Sequence, residues 1–143
     1  MNGYLMQEAN WVAGEDLFLE SFAAENSYGV VFEDDGDTAF FYAVKKEQEE
    51  LRILDALHIH ETGSDDETAE ASDEEAEPLP PAQLKIIWSR DWLKCVLVID
   101  GHVHALFDFE AQGGYNINEF PPPNEFWTQG DRKLTAEMIQ RLF

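Results

Sequence analysis

Apolar and polar residues alternate with a period of two along most of this chain, the pattern of strands whose side chains point by turns to opposite faces. The pattern is densest over residues 84–110. Leu84, Ile86 and Trp88 share one face, and Ser89-Arg90-Asp91-Trp92 is turn chemistry. Beyond it, residues 94–100 carry Cys95, Leu97 and Ile99 on one face against Val96 and Val98 on the other. Asp100-Gly101 supplies a two-residue hairpin turn. The third strand sends Val103, Ala105, Phe107 and Phe109 one way and His102, His104, Leu106 and Asp108 the other. Three antiparallel strands in sequence order predict a meander.

The N-terminal half carries a second such signal. Tyr28, Val30 and Phe32 alternate up to Asp34-Asp35-Gly36-Asp37, and Thr38, Phe40, Tyr42 and Val44 alternate beyond it with Ala39, Phe41 and Ala43. Gly36 takes a positive φ without penalty and the Asp side chains accept from turn amides, so a β-hairpin is predicted. Its second strand is apolar on both faces, which places it centrally. Residues 17–22 read as a strand, with a helix as the second choice. Residues 53–60 read as a strand with one wet face, reached through a charged connection or helical turn at 45–50. In the first fifteen residues Trp11 belongs to a short edge strand or to an aromatic lid.

Two stretches break the alternation. Residues 61–81 hold no aromatic, no β-branched aliphatic and no basic residue and end in prolines, so they predict a mobile acidic loop that cannot offset its ordering entropy by burial. After Gly113-Gly114, the prolines and the spaced Tyr115, Phe120, Phe126 and Trp127 predict an irregular strap lying on the sheet. A final helix follows, capped by Asp131, with Leu134, Met138 and Leu142 in one stripe widened by Ile139 and Phe143. The expectation is one α+β domain over residues 1–143: an antiparallel β-sheet of about five to seven strands, built from the hairpin and the meander, with the helix packed on one face.

Composition leaves that picture intact and adds a field. The 143 residues carry 30 acidic and 9 basic side chains, a net charge of −21. Nine of the acids lie between Glu61 and Glu77, so the remainder still holds 21 acids against 9 bases, a net −12. Such a charge repels nucleic acid and anionic membrane and draws basic partners or cations. Cys95 is the one cysteine, so no internal disulfide forms, which fits a reducing compartment. The first residues lack a basic stretch followed by an apolar one, and no apolar run is long enough to span a bilayer. A cytoplasmic protein is expected.

Candidate chemistry is sparse. All four histidines fall in two H-x-H pairs, His58/His60 and His102/His104. On regular strands each pair presents two imidazoles to one face about 6–7 Å apart. If the two strands are neighbours, four imidazoles with Asp108 and Glu61 suit a divalent metal. The competing reading is two wet strand faces. Asp34, Asp35 and Asp37 offer oxygens to a cation but lack the EF-hand spacing. Cys95 sits mid-strand among Val and Leu, as an inert core thiol does. Glu33, Asp108 and Glu110 are the carboxylates considered for acid–base work, though with 30 acids such pairings arise readily. No nucleophile elbow, P-loop or dinucleotide fingerprint occurs. Trp88, Trp92, Tyr115, Phe126 and Trp127 suit either a core with a strap or the lining of an interface.

The strings GVVFEDDGDTAFFYA at 29–43 and IIWSRDWLKCVLVIDGHVHALFDFE at 86–110 resemble a family of small acidic bacterial proteins, domain of unknown function 2251. The resemblance covers about residues 11–127 and implies a shared fold and a bacterial source; the acidic stretch at 61–81 is longer than the family's connection. It brings no catalytic residue and no cofactor with it. The leading expectation is therefore a non-catalytic interaction protein, inhibitor- or immunity-like, whose acidic surface meets a basic protein. The alternative is a metal-binding module or metal-dependent enzyme using the histidine pairs.

Overall fold

In the computed structural model, residues 3–12, 14–61, 81–117 and 133–142 are described. They form nine strands and one short helix: β1 (Tyr4–Trp11), β2 (Leu17–Phe22), β3 (Tyr28–Asp34), β4 (Thr38–Glu47), β5 (Glu50–Glu61), β6 (Ala82–Trp88), β7 (Lys94–Ile99), β8 (His102–Asp108), β9 (Gly113–Asn116) and α1 (Ala136–Leu142). The strands make two antiparallel sheets, a five-stranded one in the order β1-β6-β7-β8-β9 and a four-stranded one in the order β2-β3-β4-β5. The predicted single sheet is thus corrected to two, and the fold is largely β. The physical reason lies in the apolar faces. The hairpin and the meander each have one (Val30, Phe32 and Phe41; Leu84, Ile86, Leu97 and Phe107), and all seven residues are inaccessible to solvent in one shared core. A seven-residue helix covers too little area to bury both faces of a single wide sheet, whereas stacking the sheets buries each against the other.

Polar side chains tie the two sheets together. Within the core, Trp88 Nε1 donates to Ser21 Oγ (3.0 Å). Trp11 packs edge-on to Phe32 at 5.2 Å and donates its indole N–H to Asp34 Oδ2 (2.9 Å). At one seam Gln7 Nε2 donates to the Glu20 carbonyl (3.0 Å), and at the other Asn116 Nδ2 donates to the His58 carbonyl (2.8 Å). These amides bond the backbone of otherwise open edge strands, whose free groups would invite pairing with another chain.

The hairpin and the meander both form as predicted. Gly36 adopts φ +100°, Asp34 Oδ1 accepts from the Gly36 amide, and Asp35 Oδ1 accepts from those of Asp37 and Thr38. At the Asp100-Gly101 turn both residues have positive φ (50° and 82°), as the right-handed strand twist favours. The charged connection at 45–50 is instead the end of β4, a tight turn with Gln48 at φ 57°, and the start of β5. The helix residue Ile139, with Leu134 just before the helix, packs on the outer face of the five-stranded sheet against Val96, Val98 and Leu106. Thr135 caps the helix's first turn, its Oγ1 accepting from the Met138 amide (3.1 Å). The 62–80 part of the acidic loop, the strap from 118 onward, Asp131 and Phe143 lie outside the described residues. Among the described residues no helix is long and apolar enough to cross a membrane.

Candidate interaction face

The helix covers one outer face of the sandwich; the outer face of the four-stranded sheet is built differently. Leu17 and Leu19 turn inward to the core, so Phe18 and Glu20 between them turn outward. Strand register carries that alternation across the sheet: Phe18 lies opposite Glu33, Glu33 opposite Phe40, and Phe40 opposite His58. Residues paired in this way keep their Cβ atoms about 4.5–5.5 Å apart on one face. The next row reads Glu20, Val31, Tyr42 and Ala56, and the one beyond it Phe22, Gly29, Val44 and Ile53. Phe40 stacks on Tyr42 (5.8 Å between centroids) and meets the His58 ring edge-on (5.4 Å).

This is an aromatic face with carboxylates set into it. Phe18 is 57% and Ile53 63% exposed, well above what a strand residue facing a covering layer shows. Burial, and after it the charges of Glu33 and Asp35, raise the Tyr42 phenol above its ordinary value, which registers the negative field at this surface. Beside it lies an open depression of about 310 Å³ lined by Asp16, Leu17, Phe18, Glu33, Asp34 and Asp35. The alternation of residues 28–44 made the aromatic row visible in the sequence. What was missed is that the shared core cluster lies on one side of this sheet, with Val31 and Val44 buried on the other among the outer-face residues.

The histidines separate. In β5 the register skips Leu54 and Ile59, leaving each as an extra residue, and both pack against the core. The second skip falls between His58 and His60 and breaks the alternation that would set them on one face. His58 accordingly sits by Phe40, while the His60 ring lies edge-on to Trp11 at 6.0 Å. In β8 another skip, at His104, turns Val103 to the outer, helix-covered face instead of the expected inner one. His102 is exposed at the hairpin end. Asp108 caps the following turn, its Oδ1 accepting from the amides of Glu110 and Ala111. The set His58, His60, His102, His104 and Asp108 therefore does not converge, and among the described residues no three His, Cys, Asp or Glu side chains are grouped to hold a metal ion. The structure does bring His58 and His104 to one cavity of about 210 Å³ at the seam of the two sheets, with Ile59 and Ile117. Burial, then the neighbouring His102, lowers the pKa of His104, with Asp100 acting against them.

Several of the remaining candidates have structural partners. Asp34 accepts from Trp11, Gly14 and Gly36, so its oxygens are directed at N–H groups. Glu110 pairs with Lys94 (3.0 Å), which also binds Asp91 (3.1 Å). Glu33 lies on β3 of the four-stranded sheet, whereas Asp108 ends β8 of the five-stranded sheet and Glu110 lies in the turn after it. Cys95 is fully buried, and burial pushes its thiol well up. Trp88 and Trp92 belong to the core, Trp88 stacking on Phe109 at 5.6 Å. Tyr115 packs in the cluster beneath the helix, while Phe126 and Trp127 lie outside the described residues.

With that geometry in view, the family model of an uncharacterized protein conserved in bacteria, domain of unknown function 2251, matches residues 11–143. The chain belongs to this family. A curated relative from Haemophilus influenzae, named as an uncharacterized protein, is 36% identical over 104 residues, which cover 71% of this chain and 58% of the relative. The chain thus spans a little over half of that relative's length. No solved structure matches. Family membership bears out the resemblance carried by the 29–43 and 86–110 strings.

Proposed function

We propose that this protein is a non-catalytic interaction protein, inhibitor- or immunity-like, whose acidic surface meets a basic protein partner. The observation that carries this reading is the outer face of the four-stranded sheet, where Phe18, Phe40 and Tyr42 are interleaved with Glu20 and Glu33. Phe18 is exposed and Phe40 and Tyr42 are half-buried beside it, and rings among charges supply what interfaces use: large apolar anchors at low entropic cost and a field that steers the partner in. A net charge of −21 repels nucleic acid and anionic membrane and favours a basic surface. The test is capture from a bacterial lysate by the wild-type chain and by a Phe18→Ser/Phe40→Ser variant, at low and at high salt. A partner held by the wild type, weakened by salt and lost in the variant supports the reading. Equal retention by both proteins, or none at either salt, refutes it.

A second reading, a divalent-metal module, rests on His58 and His104 sharing the seam cavity. Two imidazoles leave ligand positions for water or an exogenous group. Zinc titration followed by thermal unfolding decides it: the wild type gains stability and His58→Ala/His104→Ala does not. Identical curves for the two proteins remove this reading.

A further inference from the structure

We propose that Glu33, set between Phe18 and Phe40 on the outer face of the four-stranded sheet, receives an arginine side chain of the basic partner. This rests on the interaction reading above and names the chemistry that the face recognises. The ladder places a carboxylate directly between two phenyl rings on three adjacent strands. A guanidinium is planar, so it lies on a ring face while its edge donates two parallel bonds to a carboxylate. An ammonium is compact and strongly hydrated and cannot satisfy ring and carboxylate together with the same geometry.

Three observations point to a cation supplied from outside the described residues. Glu33 is exposed and has no ion-pair partner among them, whereas the buried Lys94 is paired twice. The opposite end of the same sheet shows the chain's own cations on its own rings, Lys46 Nζ 5.6 Å from the centre of Phe22 and Lys45 Nζ 5.9 Å from that of Tyr28. Among the described residues no such contact forms at Phe18 or Phe40. Finally, Glu33 and Asp35 together raise the Tyr42 phenol beyond what burial does, so the field at this row is negative. A second copy of the chain is a poor occupant, because with 30 acids and 9 bases it would bring carboxylate against carboxylate.

The experiment uses the full chain and three labelled peptides that alternate valine with arginine, lysine or citrulline, with affinities read by fluorescence anisotropy. The arginine peptide is expected to bind about five- to tenfold tighter than the lysine peptide, and the uncharged citrulline peptide least. Glu33→Gln is expected to remove that preference without moving the thermal midpoint, and Phe40→Leu to remove it while lowering the midpoint by a few degrees, since the Phe40 ring also packs on Tyr42 and His58. Glu137→Gln on the exposed face of α1 removes the same charge elsewhere and is expected to preserve it. Equal affinity for arginine and lysine peptides, unaffected by Glu33→Gln, overturns the guanidinium site while leaving the basic-partner reading standing. Absence of binding by either cationic peptide at low salt overturns both.

Discussion

Removing the Asp34 carboxylate should be among the most damaging single changes in this protein, although Asp34 is an acid in a chain with 30 of them. Its side chain is 2% exposed and accepts three hydrogen bonds of 2.9 Å, from Trp11 Nε1 and the Gly14 amide on Oδ2 and from the Gly36 amide on Oδ1. Asp34→Ala strands the Trp11 N–H, whose residue is 6% exposed, inside the core. An unsatisfied buried donor costs about 1–3 kcal/mol, and bonds to a charged acceptor are worth about 1.5–3 kcal/mol each. The Gly36 amide is half-buried at a turn and can turn to water, so its share is small. The expected loss is about 3–5 kcal/mol, a large fraction of a domain's stability. Asp34→Asn should fall between the two, since it keeps one acceptor oxygen but sets an NH₂ against N–H donors. Urea unfolding followed by tryptophan fluorescence reads both variants, with Trp11 itself a reporter. A shift in Asp34→Ala within about 0.5 kcal/mol of wild type, the range of an exposed substitution, would refute the reasoning.

Other outcomes follow from the same contacts. A Cβ on Gly114 would come 2.7 Å from the Phe107 ring and 2.8 Å from Asp55 Oδ2, so Gly114→Ala should cost about 1–3 kcal/mol in urea unfolding by overpacking the seam. His104 should titrate below the usual 6.5, because burial and then His102 oppose its charging. Its unfolded form takes up the proton first, so the stability that neutral His104 contributes is present above 6.5 and is lost as pH falls from there through the lower folded-state value. His102→Ala should move its NMR titration midpoint up. Cys95, buried with its thiol pushed well above the usual value, should react with a thiol reagent only as fast as the chain opens, so labelling should accelerate with urea and hardly with pH near neutrality.

Local signals in the sequence were strong where a turn and an alternating flank agreed. Asp34-Asp35-Gly36-Asp37 and Asp100-Gly101 each specify a positive-φ turn, and both hairpins follow. The meander extends to β9 and takes β1 on its far edge, a pairing between residues about 75 positions apart that no local pattern encodes. The division into two sheets was illegible for a related reason: alternation shows that a strand has an apolar face but not which other face covers it. Bulges hid the fate of the histidines. A skipped residue shifts every later side chain to the opposite face, and Ile59 and His104 look like ordinary strand positions in the sequence. The interaction face was half legible. Phe18, Phe40 and Tyr42 stood out as ring-bearing positions, but their place on an outer face depends on the shared core lying on the Phe32 and Phe41 side.

The outer face of the four-stranded sheet is the proposed docking site of a basic partner. Amide NMR of the full, ¹⁵N-labelled chain titrated with the arginine–valine peptide tests it most directly. Shift changes should concentrate on Phe18, Glu33, Phe40 and Tyr42 and leave α1 and the β6–β8 meander in place. Changes centred on α1, or confined to the acidic stretch between Glu61 and Glu77, would contradict it.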